Sequence, residues 1–140
     1  MRAIAKYELG TGQRPGCRLT LWSLSSSLRA CRLTSSVERW IDVLRDEIEL
    51  DSVWLFGSRA RGERREDSDV DLLVITRSDP ERDRQRVWKA IDDVAREMGV
   101  NPAVFVPHTW DRTWLAGRRE IGSFFIQEVD RDKVVLFGGP

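Results

Sequence analysis

The chain has 140 residues, of which 41% are hydrophobic and 33% charged, and its 23 basic residues balance its 23 acidic ones. A chain of this length and apolar content can bury one ordinary core, which argues against both a fully disordered chain and a multidomain enzyme. No apolar run approaches the roughly 18 to 20 residues that span a bilayer, and the N-terminus lacks the apolar block of a secretory signal. We therefore expect one soluble domain in the cytoplasm.

The N-terminal quarter differs from the rest of the chain. Residues 1–36 hold six basic residues and one acidic residue, include a cluster of serines, and show no sustained helix or strand period. We expect them to form a disordered extension; their composition also resembles an organelle transit peptide. Residues 37–140, the predicted folded domain, hold 17 basic and 22 acidic residues, a net charge of −5. This acidic balance argues against a broad basic surface that binds nucleic acid electrostatically.

The first predicted elements are a helix and two strands. Ser35 and Glu38 have the spacing of a capping box, and the apolar residues after them repeat with a helical period. Residues 53–56 are a short apolar run that ends at a glycine and predict a buried strand. Residues 70–75 predict a second strand, interrupted only by Asp71.

The second half of the chain alternates helices and strands. Asp79 and Pro80 supply a cap and a first-turn proline for a long helix that ends at Gly99. Further on, the pattern predicts a strand at 103–106, short helices at 109–116 and 120–129, and a strand at 134–137. This order predicts an α+β fold in which helices pack on a small mixed sheet. Four tryptophans are predicted to be core and helix-packing residues rather than base-stacking platforms: Trp54, Trp88, Trp110 and Trp114.

The predicted second strand places two carboxylates together. Asp71 lies in an otherwise apolar strand, where a buried carboxylate needs a partner, and Asp69 has the same side-chain parity. Two converging carboxylates repel each other, and oxygen ligands of this kind favour Mg²⁺ or Mn²⁺. The turn after the first strand complements them, because Gly57 allows close backbone approach and Ser58 can donate to a phosphate.

The run from Gly57 and Ser58, through ten residues, to Asp69 and Asp71 resembles the signature of the DNA polymerase β-like nucleotidyltransferase superfamily. Within that superfamily, the chain resembles the minimal nucleotidyltransferase branch closely at Ala60, Arg61, Gly62 and Ser68. This branch includes antitoxins of toxin–antitoxin pairs. The resemblance covers residues 37–140 and implies a nucleotidyltransferase-like sheet. It implies that Gly57 and Ser58 hold nucleotide phosphates and that Asp69 and Asp71 hold the metal.

Arg59 and Arg61 follow Gly57 and Ser58, the predicted phosphate-binding turn. A triphosphate needs countercharge, so both are candidates for phosphate contact, and a solvated loop is the alternative for both.

One part of the family pattern is absent. Catalytic members generally carry a third carboxylate on the next strand, and residues 101–106 contain no acid. General-base assistance is typically worth about 10² to 10⁴ in rate, so its loss would preserve nucleotide binding and slow the transfer. His108 and Asp111, just past the predicted strand, are the candidates for a substitute; a surface position is the ordinary alternative.

The leading functional prediction is a minimal nucleotidyltransferase that transfers AMP from ATP to an acceptor hydroxyl. Because the nucleotide-binding core uses up most of the predicted domain, the acceptor is expected on a partner, such as a HEPN-type toxin protein. Two alternatives are a non-enzymatic nucleotide-binding module that lost its base, and a dimeric enzyme that modifies small molecules such as aminoglycosides.

Overall fold

The computed structural model describes residues 28–63 and 67–140. The elements in chain order are α1 (Leu28–Glu47), β1 (Leu50–Phe56), α2 (Gly57–Ala60), β2 (Val70–Thr76), α3 (Pro80–Met98), a 3₁₀ turn (Pro102–Val104), β3 (Phe105–Asp111), α4 (Arg112–Glu120), α5 (Phe124–Asp132) and β4 (Val134–Phe137). The four strands form one sheet in the order β3-β2-β1-β4. β1 is antiparallel to β2 and β4, whereas β2 and β3 are parallel. The predicted α+β class with a small mixed sheet is confirmed.

Helices pack on both faces of the sheet, because successive strand residues point in opposite directions. On one face, residues such as Leu55 and Leu72 pack in a core with α1 and α3. On the other face, Trp54 and Leu73 pack in a smaller cluster with α4 and α5. Phe56 lies at the border of this smaller cluster, at the end of β1. The face that carries α4 and α5 therefore extends to the end of the sheet where β1 ends and β2 begins.

Local sequence signals predicted α3 well and α1 less well. The Asp79 carboxylate accepts from the Glu81 amide at 3.0 Å, and Gly99 ends α3 in the left-handed conformation, as predicted. Helix α1, in contrast, begins at Leu28 rather than at Ser35, because buried Leu33 extends its apolar stripe toward the N-terminus. Most of the predicted disordered extension, residues 1–27, lies outside the described part of the chain. In the part described, no helix is both long and apolar enough to cross a membrane.

The third strand also differs from its prediction. It spans Phe105–Asp111 rather than 103–106, and α4 starts only at Arg112. The reason is tertiary: β3 pairs in parallel with the whole of β2, from Val70 opposite Phe105 to Thr76 opposite Asp111. This ladder provides backbone partners for residues whose local pattern predicted the start of a helix. Helix α4 consequently begins three residues later than predicted, at Arg112. Helix α5 also begins later than predicted, by four residues, at Phe124.

The four tryptophans do not share one environment. Trp54 is fully buried as predicted, and its Nε1 donates to the Gly139 carbonyl at 2.8 Å. Trp88 was wrongly predicted as a packing residue: it is 42% exposed on α3, beside the buried stripe of that helix. Trp110 and Trp114 are half-buried and stack with their ring centroids 4.3 Å apart.

We expect Trp54→Phe to lower the free energy of unfolding by about 2–3 kcal/mol, because it removes one hydrogen bond and leaves a cavity beside Gly139. The same substitution at exposed Trp88 is expected to change it by less than about 0.5 kcal/mol. Urea titration followed by far-ultraviolet circular dichroism measures both. Equal losses for the two variants would contradict the difference in burial.

Candidate active site

The site begins with a tight turn directly after β1. The first residue of α2, Gly57, has a φ of +75°. Its carbonyl accepts from the Arg61 amide at 3.2 Å, and the Ser58 carbonyl accepts from the Glu63 amide at 3.0 Å. A Cβ atom on Gly57 would lie 2.5 Å from Oδ2 of Asp71. A glycine is therefore required here twice over, by its backbone conformation and by the carboxylate packed against the turn.

The two predicted metal-binding aspartates lie together at this turn. The β1–β2 register places Asp71 opposite Phe56, so the half-buried carboxylate reaches the start of α2. Asp69 is exposed and stands immediately before β2 rather than within it. Burial raises the pKa of Asp71, and the negative charge of Asp69 raises it further, whereas the nearby charges of His108 and Arg61 oppose the increase.

His108 lies within β3 rather than beyond it. In the β2–β3 register Val106 is opposite Asp71 and His108 is opposite Leu73, which puts His108 on the face that carries Asp71. Burial lowers the pKa of His108, and the charge of Asp71 opposes that decrease. The imidazole is consequently neutral for the most part at pH 7.

Two phenylalanines surround this imidazole. The ring centroids of Phe56 and Phe125 lie 5.6 and 5.9 Å from that of His108, and 5.5 Å from each other. Neither phenylalanine was predicted to belong to the site. The position of Phe56 next to Gly57 was an available signal, whereas no local pattern places Phe125 of α5 beside β1.

Asp111 lies at the opposite end of the strands from the site. It lies opposite Thr76, at the far end of β2 from Asp71. Its carboxylate accepts from the Trp114 amide at 2.7 Å and caps α4. The expectation that Asp111 could replace the missing carboxylate is therefore wrong. The residue of β3 that does lie beside Asp71 is Val106, which cannot accept a proton or bind a metal.

The two arginines of the turn point in different directions. The Arg59 guanidinium donates to backbone carbonyls, with Nε and Nη2 lying 3.0 and 2.7 Å from the oxygen of Ser68. Arg61 is exposed and pairs with the carboxylates of Glu63 at 2.9 Å and Asp132 at 3.5 Å. Its charge also reaches Asp71, whose pKa it lowers. The Arg61 guanidinium thus acts on Asp71 through its charge from the exposed side of the turn.

The carboxylate pair fits a metal ion that is shared with a substrate. Residues 28–63 and 67–140 contain no group of three or more His, Cys, Asp or Glu side chains that could hold a metal ion by themselves. Mg²⁺ commonly binds through only one or two carboxylates and completes its shell with water and substrate phosphates. Burial raises the pKa of Asp71, and the like charge of Asp69 raises it further; a divalent cation would offset this repulsion between the two carboxylates. Asp69 and Asp71 thus suit Mg²⁺ or Mn²⁺ together with a phosphorylated ligand.

Comparison with known proteins identifies the family. A sequence model described as the nucleotidyltransferase domain matches residues 37–121. A crystal structure of a toxin–antitoxin with AMP-PNP is 23% identical and has a TM-score of 0.48, over 75% of this chain and 73% of that one. A candidate nucleotidyltransferase from Sulfolobus solfataricus is 21% identical and has a TM-score of 0.33, over 74% of this chain and 87% of that one. No curated protein matches. Because the matched segment covers more than half of the chain and contains both the turn and the carboxylate pair, the protein belongs to the nucleotidyltransferase domain family.

Proposed function

We propose that this protein transfers a nucleoside monophosphate, AMP from ATP, to an acceptor hydroxyl. The observation that carries the proposal is the packing of the Asp71 carboxylate against Gly57, where a Cβ atom would lie 2.5 Å from Oδ2. This packing puts a phosphate-binding type of turn and a pair of carboxylates at one edge of the sheet. Membership of the nucleotidyltransferase domain family supports the same reaction class.

In the proposed reaction the acceptor oxygen attacks the α-phosphorus of the nucleotide. A new oxygen–phosphorus bond forms, the bond from the α-phosphorus to the bridging oxygen of the β-phosphate breaks, and pyrophosphate leaves while the hydroxyl proton passes to solvent or a base. The turn at Gly57 and Ser58 would hold the phosphates, and Arg61 would supply countercharge. Asp69 and Asp71 would hold Mg²⁺ or Mn²⁺, which neutralises the charge on the phosphates during an in-line transfer.

We further propose that the acceptor hydroxyl belongs to a separate protein, such as a HEPN-type toxin, and that this chain acts as its antitoxin. The GSRARG sequence, which is similar to antitoxin-type minimal nucleotidyltransferases, supports this role. In this proposal the partner presents its hydroxyl at the end of the sheet where Asp71 lies and where Asp69 is exposed.

A second candidate function is nucleotide binding without transfer. It is favoured by one observation: the β3 residue beside Asp71 is Val106, and the one acid on this strand, Asp111, lies at its far end. General-base assistance commonly contributes about 10² to 10⁴ in rate. A protein without it can keep its affinity for a metal–nucleotide complex and lose most of its turnover.

Labelling with ATP distinguishes the two functions. The protein is incubated with ATP radiolabelled at the α-phosphate and Mg²⁺, with and without a co-expressed HEPN partner. Label transferred to protein by the wild type is expected to fall by about 10³-fold or more in the double variant Asp69→Asn, Asp71→Asn, since both metal ligands are lost. Asp111→Asn is the matched control, because asparagine retains the cap of α4 and the site is distant.

Calorimetric titration of the same samples with ATP completes the test. Labelling by the wild type and by Asp111→Asn, but not by the double variant, supports the transferase. Magnesium-dependent ATP binding without labelling supports the binding module. Absence of both binding and labelling would count against either function.

A further inference from the structure

Arg59 is turned toward the two residues that precede β2, Ser68 and Asp69. Its Nε lies 3.0 Å from the Ser68 oxygen and 3.2 Å from the Asp69 oxygen, and its Nη2 lies 2.7 Å from the Ser68 oxygen. The side chain is half-buried in this position. One guanidinium thus spans from α2 to the two residues that lead into β2.

These contacts matter because Asp69 stands outside the β-ladder. Asp71 is held in the sheet, because it pairs with both β1 and β3. Asp69 precedes Val70, the first residue of β2, and has no place in either ladder. Its position beside Asp71 therefore depends on what restrains the end of the loop. Hydrogen bonds from a charged donor are stronger than neutral ones, and the planar guanidinium fork imposes a direction on both carbonyls.

We propose that Arg59 is a positioning residue for the carboxylate pair: by holding the carbonyls of Ser68 and Asp69, it sets the Asp69 carboxylate beside Asp71. This role rests on the proposed function of the pair as a metal–nucleotide site. It replaces the role in phosphate contact for which Arg59 is a candidate by sequence. Arg61, which lies on the exposed side of the turn, remains the candidate for phosphate countercharge.

The variant Arg59→Lys separates the two roles. Lysine keeps the positive charge and binds phosphate well as a point charge, but it lacks the planar fork that reaches two carbonyls. A phosphate-binding role therefore predicts an affinity for nucleotide close to that of the wild type. The positioning role predicts a mobile Asp69 and weaker metal binding. Arg61→Lys is the matched control, since it makes the same change two residues away on the exposed side.

Backbone ¹⁵N relaxation tests the contact directly, without nucleotide or metal. The amide order parameters of Ser68 and Asp69 are expected near 0.85 in the wild type and in Arg61→Lys, and below about 0.6 in Arg59→Lys. Order parameters that stay high in Arg59→Lys would overturn the inference. This measurement does not depend on the reaction, so its failure is separate from a failure of the proposed function.

Titration with Mn²⁺ alone, with free Mn²⁺ counted by electron paramagnetic resonance, tests the consequence for the site. Arg59→Ala is expected to weaken Mn²⁺ binding about 10-fold, the usual cost of losing an outer-shell partner of a metal ligand. Electrostatics alone predicts the opposite sign, because removal of a nearby positive charge should strengthen cation binding. Unchanged or stronger Mn²⁺ binding in Arg59→Ala would overturn the positioning role. A different result would contradict the proposed function: a wild type that binds Mn²⁺ neither alone nor together with a non-hydrolysable ATP analogue.

Discussion

Asp71→Asn is expected to stabilise the metal-free protein at pH 7 while it strongly weakens magnesium-dependent ATP binding. Burial raises the pKa of the Asp71 carboxyl above its ordinary value of 3.8, and the charge of Asp69 raises it further. Ionisation of this carboxyl group is therefore less favourable in the folded state than in the unfolded chain. Asparagine removes this cost, but it also removes a proposed metal ligand. We expect ATP affinity to fall by about 100-fold or more, since the loss of an outer-shell partner alone typically costs about 10- to 100-fold in metal affinity.

The pH dependence of this effect follows from the direction of the pKa shift. Between the unfolded and the folded pKa, the folded state keeps a proton that the unfolded state has lost, so the free energy of unfolding decreases as pH rises through this window. The advantage of Asp71→Asn over the wild type should accordingly be absent below the ordinary value of 3.8, grow as pH rises through the raised pKa, and then stay constant.

Urea unfolding in the presence of EDTA, at a series of pH values from 3 to 8, measures this difference. Asp92→Asn is the control, because Asp92 is an exposed carboxylate on α3 and its loss should change stability by less than about 0.5 kcal/mol. If Asp71→Asn proved less stable than the wild type at pH 7 without metal, the carboxylate would have to possess a stabilising partner, contrary to the raised pKa.

Gly57→Ala is expected to lose ATP binding by about 100-fold, whereas Gly62→Ala retains it, because only the first change displaces Asp71, a proposed metal ligand. The two glycines have nearly the same backbone conformation, with φ of +75° and +74°. An alanine at either position incurs the strain of the left-handed region, about 1–2 kcal/mol. Their surroundings differ: the new Cβ would lie 2.5 Å from Oδ2 of Asp71 at Gly57 and would meet nothing within 4 Å at Gly62.

Calorimetric titration with Mg²⁺ and ATP, together with urea unfolding, separates strain from displacement. Both variants should lose stability, and only Gly57→Ala should lose affinity beyond what its stability explains. Equal losses of affinity in the two variants would mean that the contact between Gly57 and Asp71 has no part in binding.

Local features of the sequence identified the candidate site residues and part of the fold. Asp79 and Gly99 predicted the ends of α3, because a capping carboxylate and a left-handed glycine act within one helical turn. The turn at Gly57 and the pair Asp69 and Asp71 were identified from residue types and spacing within one short segment, and the structure brings Gly57 and both carboxylates together at one edge of the sheet.

Only the tertiary structure decided which distant residues complete this edge. The extent of β3, and with it the place of His108 beside the carboxylates and of Asp111 away from them, depends on pairing with β2 some 35 residues earlier. The direction of the Arg59 side chain likewise depends on where the loop before β2 returns to the turn. Burial of Leu33 decided where α1 begins. Caps, periods and turns act over a few residues and can be read along the chain, whereas ladders and packing join segments whose proximity no local pattern encodes.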